Sequence, residues 1–416
     1  MKRYLAAAAA FMFTSCTADT LPEITQVSPV PVSISAECSS RGNISAEKPV
    51  SARLNYEEQR AVWISYIDMA QLCADTEEEF TENVSKAFDD IAELGLNTVY
   101  VHMRAFGDAY YDSELFVPSA VIPKSNDRIA YDPLEKMTEL AHEKKISLHA
   151  WINPLRCASA ENMEKMRGTK LYEWYSDPKA YPEYISYVGD TGLYWLDPAI
   201  PEVRRLVSDG VREICDKYDV DGIHIDDYFY PTTDPSFDKE TYADSDTDKS
   251  LAEWRLENCS MLVKEIHDTV KDSCNDILFG VSPQGNLDNN YTQMYADVKR
   301  WCSRDGYIDY IAPQIYFGYD NSVCPFSQTL SQWESICTSE NVDLVCGLGV
   351  YKISDDKEFA DDTGVIAQQI ADCMADDIDG VALYSFDTLF RKEGTRYENE
   401  RKSVKMQFSS PKIAKK

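Results

Sequence analysis

Asp219-Val-Asp-Gly-Ile-His-Ile-Asp-Asp-Tyr-Phe-Tyr-Pro231 is the stretch on which the fold turns. Its centre, Gly222-Ile-His-Ile225, is a short run with isoleucine at alternate positions, which reads as a strand. Alternation puts Ile223 and Ile225 on one face, packed on helices, and His224, Asp226 and Tyr228 on the other, facing a barrel axis. Asp226 then projects into the mouth of the barrel with His224 one layer below it, while Asp227 lies past the regular strand and can turn either way.

Seven further runs of the same kind flank this one: Ala61–Tyr66, Thr98–Met103, Ser147–Ile152, Ile277–Val281, Ile308–Ile315, Asp343–Gly347 and Gly380–Ser385. Helical patterns lie between them. Thr76 and Glu79 have the spacing of a capping box ahead of the stripe Phe80, Val84, Phe88 and Ile91. Asp132-Pro133 opens a second helix and Val203, Leu206, Val207, Val211 and Ile214 mark a third. This alternation predicts an α/β protein, a single (β/α)8 TIM barrel with extended loops over residues 56–395 and a tail over 396–416. An open doubly wound sheet is the structural alternative, but no glycine-rich phosphate turn follows the first strand. The Asp/Thr/Ser-rich run from Pro231 to about Ser250 reads as a loop over the site.

The start of the chain addresses location. Lys2 and Arg3 precede a short apolar run, Leu5 to Phe13, and Thr14-Ser15-Cys16 follows. That is a signal peptide in outline over residues 1–15, too short to span a bilayer. Its end resembles the bacterial lipoprotein signal, which implies a lipidated Cys16 and an exported chain, anchored to the cell membrane or secreted. A Ser/Pro/Thr-rich tether is expected over residues 16–55. With 71 acidic against 41 basic residues the net charge is -30, so no basic patch invites nucleic acid. The 12 cysteines are scattered without zinc-site spacing, and no disulfide is assigned. Neither a metal nor a cofactor is expected, and no Gly-x-Ser-x-Gly elbow exists for a serine hydrolase.

Barrel enzymes carry their chemistry at the C-terminal strand ends. Those ends supply His102, Arg104 and Asp108, then Trp151, Asn153 and Arg156, then His224, Asp226, Asp227 and Tyr228. Later ends supply Gln284, Gln314, Tyr316, Tyr384 and Asp387. A carboxylate facing a crowded axis is costly to desolvate, so Asp226 is either catalytic or an anion balanced by Arg104 or Arg156. Glycosidic cleavage needs two carboxyl groups, and the second is open among Asp387, Asp227, Asp108 and Asp288, in that order of preference. His102, Arg104, Asp108, Trp151, Asn153, His224, Tyr228, Gln314, Tyr316 and Tyr384 are candidate sugar contacts, each with a plain packing alternative.

Several ordered motifs are similar to one family. Arg60-Ala-Val-Trp-Ile-Ser, Arg104-Ala-Phe-Gly-Asp-Ala-Tyr-Tyr, Ala150-Trp-Ile-Asn-Pro-Leu-Arg156, Trp195-Leu-Asp-Pro, the opening stretch, Phe279-Gly-Val-Ser-Pro283 and Tyr310-Ile-Ala-Pro-Gln-Ile-Tyr316 resemble glycosyl hydrolase-like family 10. The resemblance runs from about residue 58 to 390. It implies a glycosidase-type barrel, commonly on exported lipoproteins, some of which act on peptidoglycan strands, and by similarity it places the nucleophile, the main catalytic carboxylate, on Asp226. The expectation is therefore a glycoside hydrolase acting on an envelope glycan, with a noncatalytic carbohydrate-binding lipoprotein as the rival class.

Overall fold

The computed structural model describes residues 53–125, 128–361 and 364–409. The signal peptide, Cys16 and all but the end of the expected tether lie outside the described residues. Eight parallel strands close into a barrel. They are β1 (Gln59–Ile64), β2 (Thr98–Arg104), β3 (Ser147–Ile152) and β4 (Gly222–Ile225), then β5 (Leu278–Val281), β6 (Tyr310–Ile311), β7 (Asp343–Gly349) and β8 (Gly380–Tyr384). Each pairs with its sequence neighbour, and β8 returns to β1 with Gln59 opposite Gly380 and Val62 opposite Leu383. All eight strands expected from the sequence are present. The sixth is shorter than its apolar run because Pro313 has no N–H for the ladder; pairing resumes at Gln314, bridged to Gln284 and Gly347.

A helix follows every strand: α1 (Glu77–Leu94), α2 (Pro133–Glu143), α3 (Pro201–Lys217), α4 (Leu251–Ser273), α5 (Val298–Ser303), α6 (Phe326–Ile336), α7 (Val365–Ala375) and α8 (Thr395–Ser409). Helix α1 starts where Thr76 Oγ1 accepts the Glu79 N–H at 3.2 Å and stops at Gly95, whose φ of 91° suits a residue without a Cβ. Its face of Phe80, Val84, Phe88 and Ile91 is buried, each full burial being worth about 1.5–3 kcal/mol. Helix α2 starts as its sequence implies, with Asp132 Oδ1 accepting from Leu134 and Glu135 N–H and Pro133 in the first turn.

Two features differ from the sequence reading. The Pro231–Ser250 connection contains a helix, Lys239–Asp244, and is pinned to α4 by a fully buried pair in which Arg255 donates to both Asp238 oxygens at 2.7 and 2.6 Å. The expected tail over 396–416 is, to residue 409, helix α8, packed beside α1 and α7. Val404 and Phe408 are buried there, and the Glu400 carboxylate accepts the Gly364 and Ala367 N–H groups that open α7. The low helical amphipathicity of this segment hid it, because it packs through only two buried apolar residues and the Glu400 carboxylate, not through a continuous apolar stripe.

The interior divides into two layers of contact. Ile223 and Ile225 belong to the large shell between sheet and helices, as alternation requires, while Ala61, Trp63, Tyr100, Trp151, Tyr310, Ala312, Val345 and Ala382 fill the barrel itself. Aromatic rings fit inside because neighbouring strands carry glycine: a Cβ on Gly280 would lie 1.9 Å from the Tyr310 ring, and one on Gly222 would lie 2.4 Å from His149. At the opposite end from the mouth, buried Asp221 accepts from Leu54 and Leu148 N–H at 2.7 and 2.8 Å and meets His142 Nε2 at 2.9 Å. The motif's second carboxylate, Asp221, is thus structural and ties the incoming chain across the barrel floor.

Candidate active site

Inside the barrel, polar groups form a directed chain. The Trp63 indole, which can only donate, gives its hydrogen to His224 Nε2 at 3.0 Å. His224 must then carry its proton on Nδ1, 2.9 Å from the Tyr310 hydroxyl. Tyr310 in turn meets His149 Nδ1 at 2.8 Å, and His149 Nε2 meets Ser147 at 3.1 Å. Burial holds both imidazoles below their ordinary value, His149 down to about 4, so both stay neutral. His224 is therefore not placed as a sugar ligand: both ring nitrogens are used inside the barrel, one layer beneath the mouth.

Above this layer stands Asp226, 3% exposed. Its Oδ2 accepts from the Trp151 indole at 3.1 Å, and its Oδ1 has no hydrogen-bond partner among the described residues. Trp151 is held flat by His102, stacked at 3.6 Å and 12°, whose Nδ1 accepts the Tyr66 N–H at 3.3 Å. Burial keeps His102 neutral as well. For Asp226, burial and then the charge of Asp227 push the carboxyl well above the usual carboxylate range, against the pull of Arg156, the Tyr228 N–H and Trp151. Asp227 turns toward β5 and β6. Burial raises it too, but hydrogen bonds from Gln314 and Gln284 favour its charged form. The two neighbouring carboxyls thus sit in different settings, one dry with a free oxygen, the other solvated by amides, which is the division of labour that acid and base need.

Two aromatic walls flank the pair. On one side Arg156 lies over Tyr228 at 3.8 Å and Phe106 at 4.4 Å, with its Nε donating to Ala105 O at 3.1 Å. On the other, Tyr316 and Tyr384 stack at 5.6 Å and 17°, with Tyr351 edge-on and Trp63 below. Tyr66, Phe106, Tyr228, Tyr316, Tyr351 and Tyr384 are all half-buried, offering partial faces at the mouth. Gln314 also donates to Ser282 O at 3.2 Å.

Other expected residues are not brought here. Arg104 is turned outward: the register slips between His102 and Arg104, so strict alternation fails, and its guanidinium packs over Phe116 at 4.4 Å against Gly210 of α3. Asp108 closes a turn by accepting the Phe106 N–H at 3.1 Å. Asn153 donates to Ala105 O at 3.0 Å, bracing that loop beside His102. Asp387 begins a wide helical turn, with Lys392 at 3.2 Å and Asp68 as the carboxyl it acts on. Asp288 is exposed at the start of a short helix. Trp63, Tyr66, Phe106 and Tyr351 were absent from the expected contacts. Trp63 could have been found from alternation along β1, and Tyr66 closes the first expected strand run but opens a short helix, Tyr66–Leu72; Phe106 and Tyr351 sit in connections with no periodic signal. Among the described residues no group of three or more histidine, cysteine or carboxylate side chains is placed to hold a metal ion.

A closed parallel barrel with two neighbouring carboxyls, one buried and one half-buried, and aromatic walls at its C-terminal mouth defines a glycosidase-type barrel protein. The chain belongs to the Glycosyl hydrolase-like 10 family, whose model matches residues 58–363. It is similar to glycosyl hydrolase YngK of Bacillus subtilis (strain 168), 32% identical over 329 residues, covering 71% of this chain and 61% of that protein. It is also similar to glycosyl hydrolase DigH of Escherichia coli (strain K12), 27% identical over 346 residues, covering 76% of this chain and 79% of that one. The chain thus spans less than two thirds of the length of YngK. Among solved structures, the glycoside hydrolase domain of PgaB (BpsB) from Bordetella bronchiseptica superposes with a TM-score of 0.57 at 12% identity, covering 83% of this chain and 99% of that one. The catalytic domain of β-amylase from Paenibacillus polymyxa does so with a TM-score of 0.56 at 10% identity, covering 85% and 99%. Both share the barrel fold.

Proposed function

We propose that the protein hydrolyses glycosidic bonds of a bacterial envelope glycan, peptidoglycan strands first among them, with Asp226 as its main catalytic carboxyl. The observation that carries this reading is Asp226 itself: a buried carboxyl at the barrel mouth with an unpartnered oxygen and a strongly raised proton affinity. Such a group holds its proton more tightly than an ordinary carboxyl and can give it to a leaving glycosidic oxygen. Asp227, favoured in its charged form by Gln284 and Gln314, would face the developing positive charge or activate water. The half-buried rings of Tyr228 on one wall and of Tyr316 and Tyr384 on the other supply apolar faces on which sugar rings can stack. The envelope as the place of action rests on the Lys2–Cys16 leader, read as a lipoprotein signal.

Digestion of purified peptidoglycan, with and without its stem peptides, tests the proposal. The expected outcome is soluble glycan products from the native protein and a loss of about 10²–10⁴-fold with Asp226→Asn. Activity should fall as pH rises through the raised value of Asp226, because the acid form is then lost. Glycan left intact by the native protein but bound by it would replace this reading with that of a noncatalytic carbohydrate-binding protein.

A further inference from the structure

Behind the active-site strands, between β2, β3 and α3, lies a partly enclosed space in which the centre of a water-sized guest has about 10 Å³ to occupy. That leaves room for a single small guest. Its wall holds two arginines, Arg104 and Arg156, with Phe116, Asn153, Leu206 and Val207 among the rest, and no aspartate or glutamate. Arg104 is 2% exposed, and neither Nη1 nor Nη2 has a hydrogen-bond partner among the described residues. No carboxylate lies within ion-pair distance of it there. The acids that act on it from farther off have other commitments: Glu213 accepts from Ser113, the Glu114 N–H and Lys217, and Asp108 accepts from Phe106. Arg156 brings a second positive charge, its Nε already given to Ala105 O.

We propose that this space is a binding site for one small monovalent anion, chloride under ordinary conditions, held by the Arg104 guanidinium with Arg156 as second cation. A buried guanidinium without a counter-charge is costly, and the face of Phe116 at 4.4 Å offsets only part of that cost. A water molecule could accept hydrogen bonds from Arg104 but would leave the charge uncompensated; a halide, a somewhat larger sphere, does both. Arg156 also acts on Asp226, so the anion lies one residue away from the carboxyl pair. The site needs no assumption about the substrate.

Thermal unfolding of the full protein in sodium chloride, bromide and gluconate at matched ionic strength provides the first test. Chloride and bromide should raise Tm above gluconate in a saturable way, and Arg104→Met should abolish the difference between salts. Crystals soaked in sodium bromide should show an anomalous peak beside the Arg104 guanidinium, a measurement that stands even if Arg104→Met does not fold. Equal Tm in all three salts, or bromide peaks only elsewhere with an ordinary water beside Arg104, would overturn the proposal.

Discussion

Asp197 shows how much a single buried carboxyl can set. It is fully buried at the entrance to α3, its Oδ1 accepts the Ala199 N–H at 2.8 Å, and its Oδ2 has no partner among the described residues. Burial, with Asp238 and Glu183 adding to it, pushes its carboxyl up to about 8. Because the folded value lies above the unfolded one of about 3.9, the native state binds the extra proton. Its contribution to stability is therefore complete below about pH 4 and is lost as pH rises to about 8. Asp197→Asn keeps the acceptor for Ala199 and removes the titration. The variant should lose less Tm than the native protein between about pH 5 and about pH 8; equal slopes would refute the assignment. Asp226 shares the same raised direction but differs in place, standing at the mouth beside a second carboxyl. Nothing in the residue type separates Asp197 from Asp226; position on the barrel does.

At the scale of elements, the strands were legible because each is a β-branched, apolar run of barrel length, and the helices because stripe and cap coincide. Helix α8 was not. It contributes Val404 and Phe408 to buried packing, accepts a hydrogen bond from Arg60 Nη1 on Phe408 O at 3.0 Å, and caps α7 through Glu400. Cutting the chain before Thr395 removes a cap worth about 1 kcal/mol and two buried side chains worth about 1.5–3 kcal/mol each. The shortened protein should melt roughly 5–10 °C lower; an unchanged Tm would mean that the helix adds nothing to the barrel. A comparable local surprise is the slip between His102 and Arg104, where one irregular step sends Arg104 to the helix side. A period of two cannot announce its own interruption.

For the molecule as a whole, the net charge of -30 is the dominant long-range fact. Self-repulsion among surface carboxylates opposes compaction, and salt screens it. Raising sodium gluconate from about 10 mM to about 300 mM shortens the screening length from about 30 Å to under about 8 Å and should raise Tm steadily. A falling Tm would show that exposed short-range ion pairs such as Lys264 with Asp268 outweigh the general repulsion. This rise is general to salts, which is why the halide effect at Arg104 is measured against gluconate.

The sequence by itself determined the barrel, the order of its strands and the carboxyl at the mouth. Those rest on local periodicity: alternation in Gly222–Ile225 aims Asp226 inward whatever the rest of the chain does, and eight such runs separated by helices close in only a few ways. Only the tertiary structure decided the partner of that carboxyl, the retirement of His224 into a neutral internal chain, and the diversion of Arg104 to a buried space. These depend on which side chains from distant strands meet, Trp63 with His224 across 161 residues and Trp151 with Asp226 across 75. Such meetings are set by barrel closure and by glycines that make room for rings, and no spacing along the chain records them.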